Sequence, residues 1–326
     1  MNKTITADKE HATYKDYLRI VRLDHVTKHI FIVPGLVLGL LLRPDVARFD
    51  VLDIVLGFAS AILMASANYV INEWLDRDFD RYHPEKSQRA AVQKFMSGGI
   101  VIVMWVVLSV LGLLLAYAVN TLLFNIGILF LISGLAYNVK PLRTKDQVFI
   151  DVLTESVNNP LRLAMGWAMV DGGSLPPASM LLGYWFGGAF LMNCKRLAEF
   201  RDIVRDHGQE QLALYRRSFK YYTESLLLVA ALMYALLCAF FTAVFLIKYR
   251  IEYIVMFPVL SLLFCEYFLL SLKRNSVARK PEHLFKARRL MAILILTCGL
   301  FAFGTLIDLP WLDALTARHF IEISTG

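Results

Sequence analysis

Asn72-Glu73-Trp74-Leu75-Asp76-Arg77-Asp78-Phe79-Asp80 closes an apolar run that begins near residue 51, and its reading decides the fold. A helix turns about 100° per residue, so a step of four drifts only roughly 40° and climbs about 6 Å. Asn72, Asp76 and Asp80 therefore share one stripe. Acids at the end of a membrane-length helix are costly unless they meet water, an ion or a partner. Two carboxylates one turn apart suit Mg²⁺, which prefers carboxylate oxygens together with phosphate. Asn72, one turn deeper, offers an amide that can donate to a phosphate oxygen or accept from a hydroxyl. Asn68, in the same run, is grouped with it as a substrate-binding candidate. Asp78 points away from the stripe and reads as solvated or salt-bridged. The plainer reading, a charged helix end at the membrane interface, competes with this until the rest of the chain is considered.

The 326 residues are 57% hydrophobic and 19% charged, with a mean hydropathy of +0.54. That composition lies outside the range of soluble domains. It predicts an all-α polytopic membrane bundle, a single domain over 1–326. Nine apolar stretches stand out, at 29–44, 51–72, 97–119, 121–137, 149–170, 177–194, 224–247, 251–272 and 290–307, most of them long enough to cross about 30 Å of hydrocarbon. Pro34 in the first places the start of that helix earlier, within the amphipathic part of a cytoplasmic N-terminal segment, 1–28. The N-terminus and the connections after spans two, four, six and eight hold 28 of the 34 lysines and arginines. Such asymmetry puts the N-terminus in the cytoplasm and the C-terminus outside, with a bacterial inner (cytoplasmic) membrane as the expected location. The net charge of +7 follows from that orientation and from anionic lipid headgroups, with no nucleic acid implied. The four cysteines stand singly and point to neither a disulfide framework nor a metal site. The first 28 residues lack the pattern of a signal peptide, so the first helix is expected to direct insertion.

A second constellation lies in the fifth stretch. Asp151, Glu155, Asn158 and Arg162 are spaced i, i+4, i+7, i+11, within roughly 60° of one another on a continuous helix. Pro160 is expected to loosen that helix, and Gly166 extends the stripe and leaves room. A structural Arg162 to Glu155 pair is the plainer alternative here. Two carboxylate pairs at the cytoplasmic ends of separate helices are what a metal-bridged diphosphate requires, so Asp76, Asp80, Asp151 and Glu155 are the expected metal ligands. Bases complete the phosphate site. Lys86 and Arg89 follow the first motif, Arg143 and Lys145 precede the second, Lys28 enters the membrane, and Lys195 opens the dense Lys195-Arg196-Leu197-Ala198-Glu199 run.

These residues resemble the UbiA superfamily of intramembrane prenyltransferases. The likeness rests on nine spans, on Asn72-Glu73-xx-Asp76-xxx-Asp80 as a motif of the form NDxxDxxxD, and on Asp151-xxx-Glu155 as one of the form DxxxD. Tyr137-Asn138-xxx-Leu142-Arg143-x-Lys145 is similar to the family's lead into the second motif. Glu73 and Glu155 each stand where an aspartate is usual, keeping a carboxylate with one methylene more reach. The resemblance implies a bundle around a central cavity open sideways to lipid, with Mg²⁺ holding a diphosphate between the motifs. It implies transfer of an isoprenyl or polyprenyl group from its diphosphate to a lipophilic or aromatic acceptor. Lys28-His29, His83-Pro84-x-Lys86-xx-Arg89 and Lys195-Arg196-x-Ala198-Glu199 look like one branch, the decaprenyl-phosphate phosphoribosyltransferases, in which phosphoribosyl diphosphate reacts with a polyprenyl phosphate. A membrane transporter is the alternative of another class, since intramembrane acids and a proline-broken helix serve transport too. Against transport, both motifs lie at cytoplasmic ends and the halves show no clear repeat.

Overall fold

The computed structural model describes residues 10–83, 85–274, 276 and 286–312. Pro84, Arg279, Lys280, Arg318, residues 1–9 and the C-terminal end lie outside the described residues. A short helix α1 (Tyr14–Ile20) and a 3-10 stretch (Leu23–Ile32) lead into α2 (Val33–Leu42). The helix does begin before Pro34, with a 46° bend between Tyr14–Val26 and Lys28–Leu42. Pro34 lies in the first turn of α2, where its missing N–H costs nothing.

α3 (Val51–Asp80) is a 30-residue helix started by Asp50, whose carboxylate accepts from the N–H groups of Leu52 and Asp53 at 2.7 and 3.4 Å. One turn of α4 (Ala90–Gln93) precedes α5 (Gly98–Val119) and α6 (Thr121–Asn138). Asn120 caps α6 at the Leu123 N–H, 2.8 Å, and its amide also donates to Ala168 O at 2.8 Å. Next come α7 (Ile150–Ser156), α8 (Asn158–Ala168), α9 (Ala178–His207), α10 (Gln209–Tyr215) and α11 (Glu224–Tyr249). A 3-10 stretch (Ile251–Met256) runs into α12 (Phe257–Leu272), and α13 (Arg288–Leu306) ends the described bundle.

The chain is an integral membrane protein, and length and apolarity mark most of the nine expected spans. Among the described residues six helical segments are long and apolar enough to cross a membrane, or seven with the bent first segment. The expected spans at 149–170 and 177–194 are helical without meeting that test. The first is divided at Val157 into helices of 7 and 11 residues. The second is the opening of α9, which runs on through Asn193, Lys195 and Arg196 into charged sequence. Both carry the polar side chains of the candidate site, and the same side chains interrupt their apolar continuity.

Small residues set the packing. α3 lies along α5, α9 along α11, and α2 along α8. Where α2 crosses α8, a Cβ on Gly35 would stand 1.8 Å from Leu163 O, and one on Gly166 2.0 Å from Ile32 O. Gly166 thus admits the backbone of a neighbouring element rather than leaving room on a polar stripe. Such close approach is the usual basis of helix association in lipid, where burial of apolar surface gives no drive. Ile102, Leu114, Leu236 and Ile295 remain exposed on the outside of the bundle, as lipid contact requires.

Candidate active site

The last turns of α3 present the first acidic row. Asp76 Oδ1 lies 2.5 Å from Lys145 Nζ and 3.0 Å from Arg143 Nη2. The same ammonium donates to Asn138 Oδ1 at 2.8 Å and to Asn72 Oδ1 at 3.3 Å. Arg89 donates to Asp80 Oδ2 at 2.6 Å. Asn72, Asp76, Asp80, Arg89, Arg143 and Lys145 are therefore brought together. Asp78 is exposed and paired with Arg81, and the buried Glu73 lies 3.7 Å from Arg22.

Arg143 takes a left-handed backbone, φ +32°, a conformation that costs a non-glycine residue about 1–3 kcal/mol and persists where contacts enforce it. Those contacts are present. Its guanidinium donates to Asn138 O and Asp146 Oδ2, each at 3.1 Å, and stacks 5.0 Å from the Phe79 ring.

α7 presents the second row. Phe149, at φ +65°, precedes it, and its N–H donates to the Tyr222 hydroxyl at 2.8 Å. That hydroxyl donates to Asp151 Oδ1 at 2.6 Å, and Ser218 donates to Oδ2 at 3.1 Å. Arg216 and Arg196 stand 3.5 and 3.6 Å from Oδ2, and Asp151 has no exposed surface. One turn on, Glu155 keeps 26% of its side chain exposed. It accepts from the Tyr137 hydroxyl at 2.8 Å and from Arg196 Nη2 at 2.5 Å. Arg196 also pairs with Glu199 at 3.5 Å, and Glu199 faces His83 Nε2 at 3.2 Å and Lys86 Nζ at 3.9 Å.

Tyr137 joins the rows. Its ring lies 5.8 Å from Lys145 Nζ while its hydroxyl binds Glu155, with Arg216 Nη1 3.4 Å away. Val157, between α7 and α8, keeps right-handed helical dihedrals and accepts from the Leu161 N–H at 3.2 Å. Beyond it Asn158 accepts from Ser133 at 3.3 Å, and Arg162 sits 5.5 Å over the Phe130 ring. Asn68 donates to Phe130 O at 3.1 Å. Lys28 lies 2.9 Å from His25 Nδ1 and 5.4 Å over the Tyr69 ring. Lys195 is half-buried on α9.

Burial draws the Lys145 ammonium down to about 8 against the pull of Asp76, and draws Lys86 to about 8 against Glu199 and Asp80. Burial also lowers His83. Sequence reasoning passed over Asn138, Arg216, Ser218 and Tyr222. The Arg216-Arg217-Ser218-Phe219-Lys220-Tyr221-Tyr222 run reads only as a basic connection until the fold closes it onto Asp151. Among the described residues no three His, Cys, Asp or Glu side chains gather at one point as a metal site. The carboxylates stand instead in two rows with arginine and lysine between them.

The model of the UbiA prenyltransferase family matches residues 31–291. The chain belongs to that family. Other UbiA-family folds superpose on it. A UbiA homolog from Archaeoglobus fulgidus, bound to DMAPP and Mg²⁺, aligns with a TM-score of 0.66 at 21% identity, over 89% of this chain and 97% of that one. A UbiA homolog from Aeropyrum pernix K1 gives 0.56 at 17%, over 86% and 99%. Curated relatives match less of the UbiA-family chain. Nodulation protein NoeC of Azorhizobium caulinodans is 28% identical over 166 residues, 51% of each protein. Protoheme IX farnesyltransferase of Alkalihalophilus pseudofirmus is 22% identical over 200 residues, 60% of this chain and 64% of that protein. The chain thus spans between half and two thirds of the length of these curated relatives.

Proposed function

We propose that this UbiA-family chain is an intramembrane transferase that cleaves an isoprenyl or polyprenyl diphosphate and couples the chain to a lipophilic or aromatic acceptor. The observation that carries the reading is the pair of acidic rows joined through Lys145, Tyr137, Glu155 and Arg196. The donor chemistry suits Mg²⁺: hard carboxylate oxygens from two helices, with exposed side-chain surface at Asp76 and Glu155. Asp76, Asp80 and Glu155 would hold the ion, and Asp151 would join them by exchanging its hydrogen bonds from Tyr222 and Ser218. When bound, Mg²⁺ neutralises the diphosphate and stabilises the charge that collects on it. DMAPP and GPP with Mg²⁺ in the Archaeoglobus fulgidus homolog support this assignment.

The remaining steps belong to side chains. Arg89, Arg143, Lys145 and Lys86 donate to the phosphate oxygens as the C–O bond breaks and its electron pair passes to the diphosphate. The acceptor then forms the new bond at the carbon and releases its proton. By the positive-inside asymmetry the site faces the cytoplasm of a bacterial inner membrane, with the N-terminus on the same side. The first test incubates purified protein with labelled prenyl diphosphate and an aromatic acid, with Mg²⁺ or with chelator. Label should enter the acceptor only with Mg²⁺, and its absence under both conditions would overturn the reading.

One observation favours phosphoribosyl transfer to a polyprenyl phosphate as a second reading. His83, Lys86 and Glu199, from stretches that resemble that branch, meet at one wall of the site. Labelled phosphoribosyl diphosphate with polyprenyl phosphate separates the two, since only this reading carries that label into the organic phase.

A further inference from the structure

We infer that a separate cavity, on the face of the bundle opposite the acidic rows, binds the headgroup phosphate of an anionic phospholipid through Arg43, Arg250 and Trp167. It lies where the ends of α2, α8, α11 and α13 meet. Tyr222, just before α11, holds Asp151, whereas Tyr249, the last residue of α11, lines this cavity. At helical rise α11 puts roughly 37 Å between the two, more than the hydrocarbon thickness of about 30 Å. The site is therefore independent of the transferase reading.

The cavity measures about 540 Å³, and among the described residues its lining includes two arginines and no acid. That volume lies within the ~300–1,000 Å³ of small-molecule sites. Arg43 Nε donates to Asp171 Oδ2 at 3.2 Å, and Asp171 is held in turn by the Gly173 N–H at 2.9 Å and the Ser174 hydroxyl at 2.6 Å. This contact orients the guanidinium, and among the described residues neither terminal nitrogen of Arg43 has a partner. Those nitrogens are a fork of the kind that grips phosphate oxygens in pairs. Arg250 directs Nε to Gly304 O, and Nη2 to Asp308 Oδ1 at 2.8 Å and Ile307 O at 3.3 Å, which leaves Nη1 over. Trp167 is 2% exposed, and its indole N–H has no partner. Buried indole N–H groups usually find one, so this wall is short of an acceptor. The Tyr253 hydroxyl is already spent on Thr305 at 3.0 Å, so the donors left over are the arginines and the indole.

Charge placement points the same way. By the positive-inside asymmetry this face should be poor in bases, and among the described residues its connections carry Arg43, Arg48, Lys248 and Arg250. Two of these four converge on one cavity, which membrane orientation does not explain. The rim favours a lipid over a free phosphate. Leu41, Leu175 and Tyr249 line the cavity and stay exposed, so acyl chains leaving it run onto the apolar outside of the bundle. Tyrosine at such a rim is a common residue of the membrane–water interface. A headgroup that carries an ammonium fits less well, because the nearby acids are taken. Asp171 is held by Arg43, Asp308 by Arg250, and Glu252 by Arg250 and the Leu309 N–H.

The test uses the full chain in a neutral detergent, in buffer free of phosphate and sulfate, titrated with dihexanoyl phosphatidylglycerol, dihexanoyl phosphatidylcholine and inorganic phosphate. Binding heat is the readout. Phosphatidylglycerol should bind about tenfold or more tightly than either of the others. Arg43→Gln should remove that preference. Arg48→Gln, on the same face but outside the cavity, should keep it. If Arg43→Gln does not fold, Arg250→Gln and Trp167→Phe, each lowering the preference severalfold, carry the same comparison. Equal affinity for the two lipids, inorganic phosphate binding as tightly as phosphatidylglycerol, or a preference that follows Arg48 and not Arg43 overturns the site. The titration contains neither divalent ion nor prenyl diphosphate. Its failure would therefore leave the transferase reading standing, and an absence of turnover would leave this site standing.

Discussion

Lys145 Nζ lies 2.5 Å from Asp76 Oδ1 while also donating to Asn138 and Asn72. One ammonium from the turn before α7 thus organises the row on α3. Arg143 on Asp76 and Arg89 on Asp80 repeat the pattern. A metal diphosphate would present cations to the acids and oxygens to the bases at once. Each member exchanges an ionic partner for one of the same sign, so no charge is stranded in the low-dielectric interior.

Asp76→Asn and Asp80→Asn should each lower turnover of prenyl diphosphate by about a hundredfold or more, because the metal and electrostatic contribution to the departing diphosphate is lost. Asparagine keeps a hydrogen-bond acceptor for Lys145 or Arg89, so the folded protein should persist with a modest fall in melting temperature. Initial rates and thermal melts on the same preparations check both halves. Near-normal rates in both variants would remove the metal role.

The row Asn72, Asp76, Asp80 was legible because α3 is unbroken, so spacing translated directly into a face. The second row was half legible. Asp151 and Glu155 do sit one turn apart on α7, and the interruption before α8 lies next to Pro160, where a loosened helix is expected, but spacing does not show that Asn158 meets Ser133 or that Arg162 meets Phe130. The partners of Asp151 were hidden for another reason: Ser218, Arg216 and Tyr222 come from a connection whose bases already had an explanation in membrane orientation. Length and apolarity leave two of the expected spans unmarked, α7 to α8 and the start of α9, where polar site residues and burial share the helix. Gly166 was read as empty space, since a sequence does not show which backbone will fill it.

Tyr222→Phe removes the donor to Asp151 Oδ1 and the acceptor for the Phe149 N–H together. A buried carboxylate left short of one partner costs about 1–3 kcal/mol. The melting temperature should fall by several degrees, and the affinity for Mg²⁺ should change with it if Asp151 exchanges this bond on binding. Tyr137→Phe, at the more exposed Glu155, should spare stability and lower kcat by about tenfold. Paired melts and Mg²⁺ titrations of activity separate the two tyrosines.

Lys86 gives the pH dependence. Burial lowers its ammonium to about 8, and the charged groups facing it are Glu199 on α9, Asp80 on α3, Arg89 beside it and Arg216 across the site. His83, also lowered by burial, is neutral at pH 7 to 9. A bound phosphate favours the charged lysine, so binding takes up a proton above pH 8. Affinity for diphosphate should then fall with rising pH from about 8, by at most roughly tenfold per unit. Stability runs the other way: between about 8 and 10.5 the unfolded chain binds the extra proton, so this group's contribution rises with pH. Lys86→Arg, which stays charged, should flatten the affinity profile measured from pH 7 to 9.

The crossing of α2 and α8 makes a prediction about the scaffold that holds Arg162. A methyl on Gly35 would meet Leu163 O at 1.8 Å, which no rotamer change relieves because the obstacle is backbone. Gly35→Ala should therefore separate the helices and cost about 1–3 kcal/mol or more. Gly99 is the control, because a Cβ there meets only Ser97 Oγ at 3.7 Å. At that site alanine gains helix propensity of up to about 1 kcal/mol with no clash. Thermal melts in one detergent should thus move in opposite directions, down for Gly35→Ala and level or up for Gly99→Ala. A Gly35→Ala protein that melts like the parent would show that the two backbones do not meet here, and the placement of Arg162 against Phe130 would lose its support.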